Sequence, residues 1–299
     1  MRSFIFVLII ALTTCSAGWA QESYMQGRAF ALGDYSGNKM CVVNADGTIR
    51  LKQRAIHCND LWLLPEGHIL FSTGFGAKEI DAQGNVCFEY KSLSEIYAVE
   101  RLKDGNTFIG ECSTGKLLTV SPKGEILKSV SILPEGKKGN HAFMRNARVL
   151  ENGNYLVTLY NEKRVAEYDG NGTEVWTCSV PAVIHSAARL PNGNTLVACG
   201  DKGTPCIQEI TPNKTVVWEL SNKDLEGDPL KFLCGFQLLP NGNLVISNWV
   251  GHGFFGKAPH LLEVTRDKKV VWKFEDHANF SAVATIQVID ENIGKPTVH

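Results

Sequence analysis

The chain has 299 residues, with 30 Lys and Arg against 31 Asp and Glu, 44% apolar residues and 28 glycines. That length can bury a large core in one or two domains. The balanced charge, without a basic cluster, argues against nucleic acid or an acidic membrane surface as partner.

The first twenty residues, MRSFIFVLIIALTTCSAGWA, stand apart from the rest. One early Arg, an apolar run from Phe4 to Leu12 and a small-residue exit at Gly18-Trp19-Ala20 read as a secretory signal cleaved before Gln21. Residues 1–20 are therefore taken as leader and 21–299 as one domain, periplasmic or secreted. The apolar run is too short to span about 30 Å of hydrocarbon, so no integral membrane segment remains after cleavage. Acylation at Cys15 is the lesser alternative, because Thr14 is a poor residue before a lipidated cysteine.

Cleavage leaves eight of the nine cysteines, none in a CxxC pair, so metal-ligand spacing is absent. Single buried thiols are the default reading. Cys199 and Cys206 flank one hairpin loop and could instead bridge in an oxidising compartment.

One phrase then recurs along the chain: LWLLPEGHILFS at 61, VERLKDGNTFIG at 99, ARVLENGNYLVT at 147, AARLPNGNTLVA at 187, FQLLPNGNLVIS at 236 and IQVIDEN at 286. The anchors Leu64, Leu102, Leu150, Leu190, Leu239 and Ile289 lie 38, 48, 40, 49 and 50 residues apart. A period of this size, filled with short strands and polar turns, predicts a β-propeller with one four-stranded blade per repeat. Outer hairpins such as RVAEYDGNGTEVWTC and CIQEITPNKTVVWEL place Trp176, Trp218, Trp272 and Phe88 in one slot, expected to pack between blades. The last repeat has only an inner strand, while residues after 24 supply three strands without one. Splicing the two predicts an all-β, six-bladed ring closed by N-terminal strands pairing with the C-terminal strand.

Residues just before each inner strand should converge on the channel mouth. They are His57, Asn59 and Asp60; Glu95 and Tyr97; His141 and Arg145; His185 and Ser186; Cys234; and His277 with Asn279. Histidines before four of six inner strands, with an arginine and two carboxylates, predict a polar cavity. The long loop NWVGHGFFGKAPH, carrying Trp249 and His252, falls on the same face, where loops grow for binding.

The LPNGNTLV inner hairpin and the D-x-x-G-x-x-x-W outer hairpin resemble secreted bacterial quinoprotein-like (PQQ-type repeat) propellers. They are also similar to bacterial arylsulfotransferases, whose blades carry a His-containing strand running into LPNGNTL. The resemblance covers nearly all of the mature chain and speaks mainly to blade architecture. Its quinoprotein side implies PQQ with calcium and usually a vicinal disulfide; the chain has no Cys-Cys pair and about half the usual ring, which disfavours PQQ. Its sulfotransferase side implies a nucleophilic channel histidine, with His141, Arg145 and His185 at matching positions. The chain departs from that family in lacking an extra N-terminal β-domain, in length, and in placing Glu95 and Tyr97 where cations would suit a sulfate.

The leading expectation is an exported propeller binding a small polar ligand, a saccharide foremost, at the channel face. Trp249, Tyr97 and Phe75 would stack on it; Asn59, Asp60, Glu95 and His185 would bond its hydroxyls. His57, His252 and His277 complete the rim. Asp60 and Glu95 could act as acid and base beside a histidine, so catalysis stays open. A divalent metal on His141, His185 and a carboxylate is another use of the same groups. The alternatives are the sulfotransferase-like enzyme and a non-catalytic protein-interaction scaffold.

Overall fold

A computed structural model describes residues 27–137, 139–200, 204–289 and 298–299. The leader expected at 1–20 lies outside these. Among the described residues, no helix is long and apolar enough to cross a membrane.

Each repeat folds up and down because its corners hold residues that tolerate positive φ. In LPNGN, the Leu190 amide donates to the Asn194 carbonyl at 2.8 Å around Gly193, which sits at φ 85°. The last Asn of the phrase does more than turn the chain. Asn154, Asn194 and Asn243 each donate from Nδ2 to a third-strand glutamate at 2.7 Å: Glu167, Glu209 and Glu263 respectively. Those glutamates in turn pair with arginines of the following blade: Arg189 at 2.7 Å, Arg266, and Arg28 at 2.5 Å. The repeat therefore ties turn to strand and strand to neighbour.

The outcome is six four-stranded antiparallel sheets. Blade 1 joins the inner strand Val283–Ile289 to Ala29–Asp34, in register from Ala29↔Ile289 to Asp34↔Val283, closing the ring as expected. Inner strands Leu61–Leu63, Ile96–Arg101, Met144–Val149, Ile184–Arg189 and Leu233–Leu238 belong to blades 2 to 6. The outer-strand aromatics do pack between blades. Trp176 and Trp218 donate from Nε1 to the carbonyls of Pro212 and Arg266 on the next blade, both at 2.9 Å. Trp272 meets Phe30 edge-on at 5.7 Å, and Arg101 lies 5.2 Å over Phe88.

Inner strands present one unpaired edge to the channel, and buried backbone groups there need partners. Side chains of the preceding blade supply them. Asp60 accepts from the Val99 amide at 2.9 Å, Glu100 from Val149 at 3.1 Å, Gln237 from Val288 at 2.7 Å and Gln287 from Leu63 at 2.6 Å. His299 enters from below: its ring bonds Gln287 and the Leu61 carbonyl, and Arg148 Nε donates to its carbonyl oxygen at 2.9 Å.

Candidate functional site

Five inner strands break register near their upper ends. The shifts fall between Ile96 and Ala98, Met144 and Ala147, Ile184 and Ser186, Leu233 and Gly235, and opposite Gly33/Asp34 on the blade 1 inner strand. A bulge leaves a residue out of the ladder and re-aims its side chain. The residues so released are Tyr97, Arg145 with Asn146, His185, Cys234 and Ala284. All but Asn146 line a cavity of about 370 Å³ at the channel mouth, and Asn146 lies in the recess beneath it.

The cavity gathers Asn59, Tyr97, His141, Arg145, His185, Trp249 and His252, as the sequence predicts. Arg145 is its centre. Only 5% exposed, its guanidinium lies between the rings of Tyr97 at 4.5 Å and Tyr160 at 4.3 Å. One Nη donates to the His141 carbonyl and to the Cys112 sulfur, while Nε has no partner. The Asn146 side-chain oxygen, also buried, is likewise unpartnered.

His185 packs edge-on against Tyr160 at 5.4 Å and Phe232 at 5.0 Å. Burial pushes its pKa well below the usual imidazole range, with the charges of Arg145 and His141 adding to the effect, so its ring is neutral. Burial also raises the Tyr97 and Tyr35 hydroxyls, which hydrogen-bond one another, and the Cys234 thiol. At the rim, His141 Nδ1 meets Glu95 Oε2 at 2.5 Å. A carboxylate on Nδ1 fixes the tautomer with its lone pair on Nε2.

Several predicted residues stand elsewhere. Asp60 is fully committed below the cavity: it holds the Val99 amide and both terminal nitrogens of Arg148, so it is no acid or base for a ligand. His57 stacks on Tyr35 at 4.4 Å and is itself outside the cavity lining. His277 lies 4.4 Å from the buried ring of His260 and bonds Glu275 at 3.1 Å. Phe75 is exposed and outside the cavity lining. Among the described residues, no three His, Cys, Asp or Glu side chains gather as a metal set, so the expected grouping of His141, His185 and a carboxylate is not formed.

Tyr35, Tyr160 and Phe232 were not anticipated. Tyr35 and Tyr160 each directly follow a second strand, Ala29–Asp34 and Tyr155–Leu159, as Trp249 follows Leu244–Asn248. The position just after a second strand is thus the sequence signal that all three share. Phe232 immediately precedes an inner strand. Gly251 lets the long loop fold back, because a Cβ there would collide with the Trp249 ring.

The chain is similar to a protein of unknown function from Bacteroides caccae, at 31% identity over 88% of this chain and 99% of that one, with a TM-score of 0.79. It belongs to that protein's family. Other solved propellers share the fold alone at 12% identity. They include a catalytically inactive virginiamycin B lyase from Staphylococcus aureus with quinupristin (TM-score 0.56, 83% of this chain and 84% of that one) and the WD40 domain of Doa1 (0.56, 73% and 71%). No protein-family model matches the chain, and no curated protein does. Neither a PQQ-type nor an arylsulfotransferase assignment gains a family match.

Proposed function

We propose that the channel-mouth cavity binds a small organic acid, an anionic head on a flat or apolar body, and moves a proton within it. The observation that carries this reading is Arg145. Among the described residues it is the only Arg or Lys in the lining, no carboxylate lines the cavity, and its Nε lacks a partner. A buried guanidinium without a counter-ion is costly, and a carboxylate or sulfate on its open edge would make the strong charge-assisted bonds it lacks.

Phe232, Trp249 and Tyr160 form apolar walls of a size suited to a ring. His141, oriented by Glu95, is the group placed to take a proton, and Arg145 beside it would stabilise negative charge developing on the ligand. The reaction class is then elimination or isomerisation begun by proton removal next to an acid group. Neutral sugars lose support once Asp60 is committed to Arg148; a uronic acid keeps both the saccharide and the anion. A phenolic sulfate also carries an anionic head on a ring, which leaves sulfuryl transfer as the alternative chemistry.

A thermal-shift panel of benzoate, glucuronate, phenyl sulfate and glucose tests this. An acid at a hundred times its Kd should add about 2.7 kcal/mol of stability, and glucose none. Arg145→Gln should abolish the response. Stabilisation by glucose alone, or an unchanged response in Arg145→Gln, would overturn the reading. Release of phenol from phenyl sulfate would favour the sulfuryl-transfer alternative.

A further inference from the structure

Cys199 ends the second strand of blade 5, Thr195–Cys199, and Cys206 begins the third, Cys206–Ile210. They are register partners. Residues directly opposite in an antiparallel pair have Cα atoms about 4.5–5.5 Å apart, within the span a disulfide bridges. Both are buried, and the Cys206 thiol lies within hydrogen-bonding reach of the Cys199 thiol. Among the described residues, no other two cysteines are strand partners. Both are free thiols here, and the proton chemistry proposed above uses neither.

We propose that Cys199 and Cys206 are a disulfide site, oxidised as the chain folds in an oxidising compartment. The oxidant is an incoming disulfide, that of a thiol oxidase or oxidised glutathione. One cysteine thiolate attacks it, forming a mixed disulfide and releasing one thiol. The second cysteine then displaces the other half. Two S–H bonds and one S–S bond are exchanged for one S–S bond in the protein and two thiols on the oxidant, so electrons and protons balance.

Position explains what the bridge would do. Gly200 donates its amide to the Val183 carbonyl at 2.7 Å, and Cys199 is the register partner of Ile184. The bridge would thus anchor Cys199 and Gly200 beside the strand that carries His185, a residue of the cavity wall. It also carries the compartment expected from the leader, since such bonds persist outside the reducing cytosol. The proposal stands independently of the ligand reading.

Trypsin separates the two residues, with Cys199 in peptide 190–202 and Cys206 in 203–214. The full chain, exported from a bacterial host and alkylated under denaturing conditions without reductant, should give these peptides joined, about 2 Da lighter than the two free thiol peptides. The other cysteines should all be alkylated. Reduction should lower Tm by about 5 °C in the unaltered protein and leave Cys206→Ser unmoved. Alkylation of both peptides before reduction, or linkage of either to a different cysteine, would overturn the proposal. Should Cys206→Ser fail to fold, the peptide map of the unaltered chain decides alone.

Discussion

Asp60 and Arg148 meet across the channel as a two-point ion pair, at 2.7 and 2.9 Å, joining blades 2 and 4 with blade 3 between them. Both are buried, and the pair spans the channel below the cavity. Asp60→Asn keeps an acceptor for the Val99 amide but removes the carboxylate held by both terminal nitrogens of Arg148. It should cost about 3–5 kcal/mol in urea unfolding, while the folded fraction retains its response to acids. A fully stable variant that loses that response would return Asp60 to the ligand site.

The ring, its seam and its blade count were legible because hydrophobic spacing and turn residues repeat with the fold. Inner-strand register also located Tyr97, Arg145, His185 and Cys234, since a repeated phrase carries its bulge with it. What register could not distinguish is direction. Asp60 stands one position beyond the slot of these residues, which in blade 2 is held by Asn59, and its carboxylate turns toward Arg148. Arg148 lies 88 residues from Asp60, a contact no local pattern encodes. Tyr35 and Tyr160 lie outside the inner-strand register altogether, because their positions follow second strands.

The repeated Asn of NGN is predicted to be structural in every copy. Asn194→Ala removes the bond to Glu209 while leaving the Glu209–Arg266 pair. A loss of about 1 kcal/mol in denaturant midpoint stability is expected, with no effect on ligand response. An equal loss should follow Asn154→Ala, whose partner is Glu167.

Arg145 should be visible through His185. Burial is the larger cause of the lowered His185 pKa and the Arg145 charge the second. Arg145→Gln should therefore raise the His185 titration midpoint in NMR, yet leave it below the ordinary imidazole value of about 6.5. Recovery of the full ordinary value would mean that burial is not the main cause and that the cavity is wetter than described.

Two buried groups oppose one another in their pH dependence. Burial raises Glu100 to about 7, against the pull of Arg148 and the Val149 amide. Its folded pKa exceeds the unfolded one, so its contribution is full below about 4.5 and is lost as pH rises through 7. His260 has neither ring nitrogen bonded, and burial with the nearby His277 lowers it to about 4, despite Asp276 and Asp34. Its contribution is full above about 6.5 and is lost as pH falls through 4. Each shift corresponds to about 3 kcal/mol, and between pH 4.5 and 6.5 the slopes cancel. Glu100→Gln, which can still accept from Val149, should gain stability at pH 8 and expose a decline toward pH 4. His260→Phe should show the reverse, losing stability from pH 4.5 to 7. Urea midpoints at four pH values separate the two, and parallel profiles in both variants would show that neither group carries the slope.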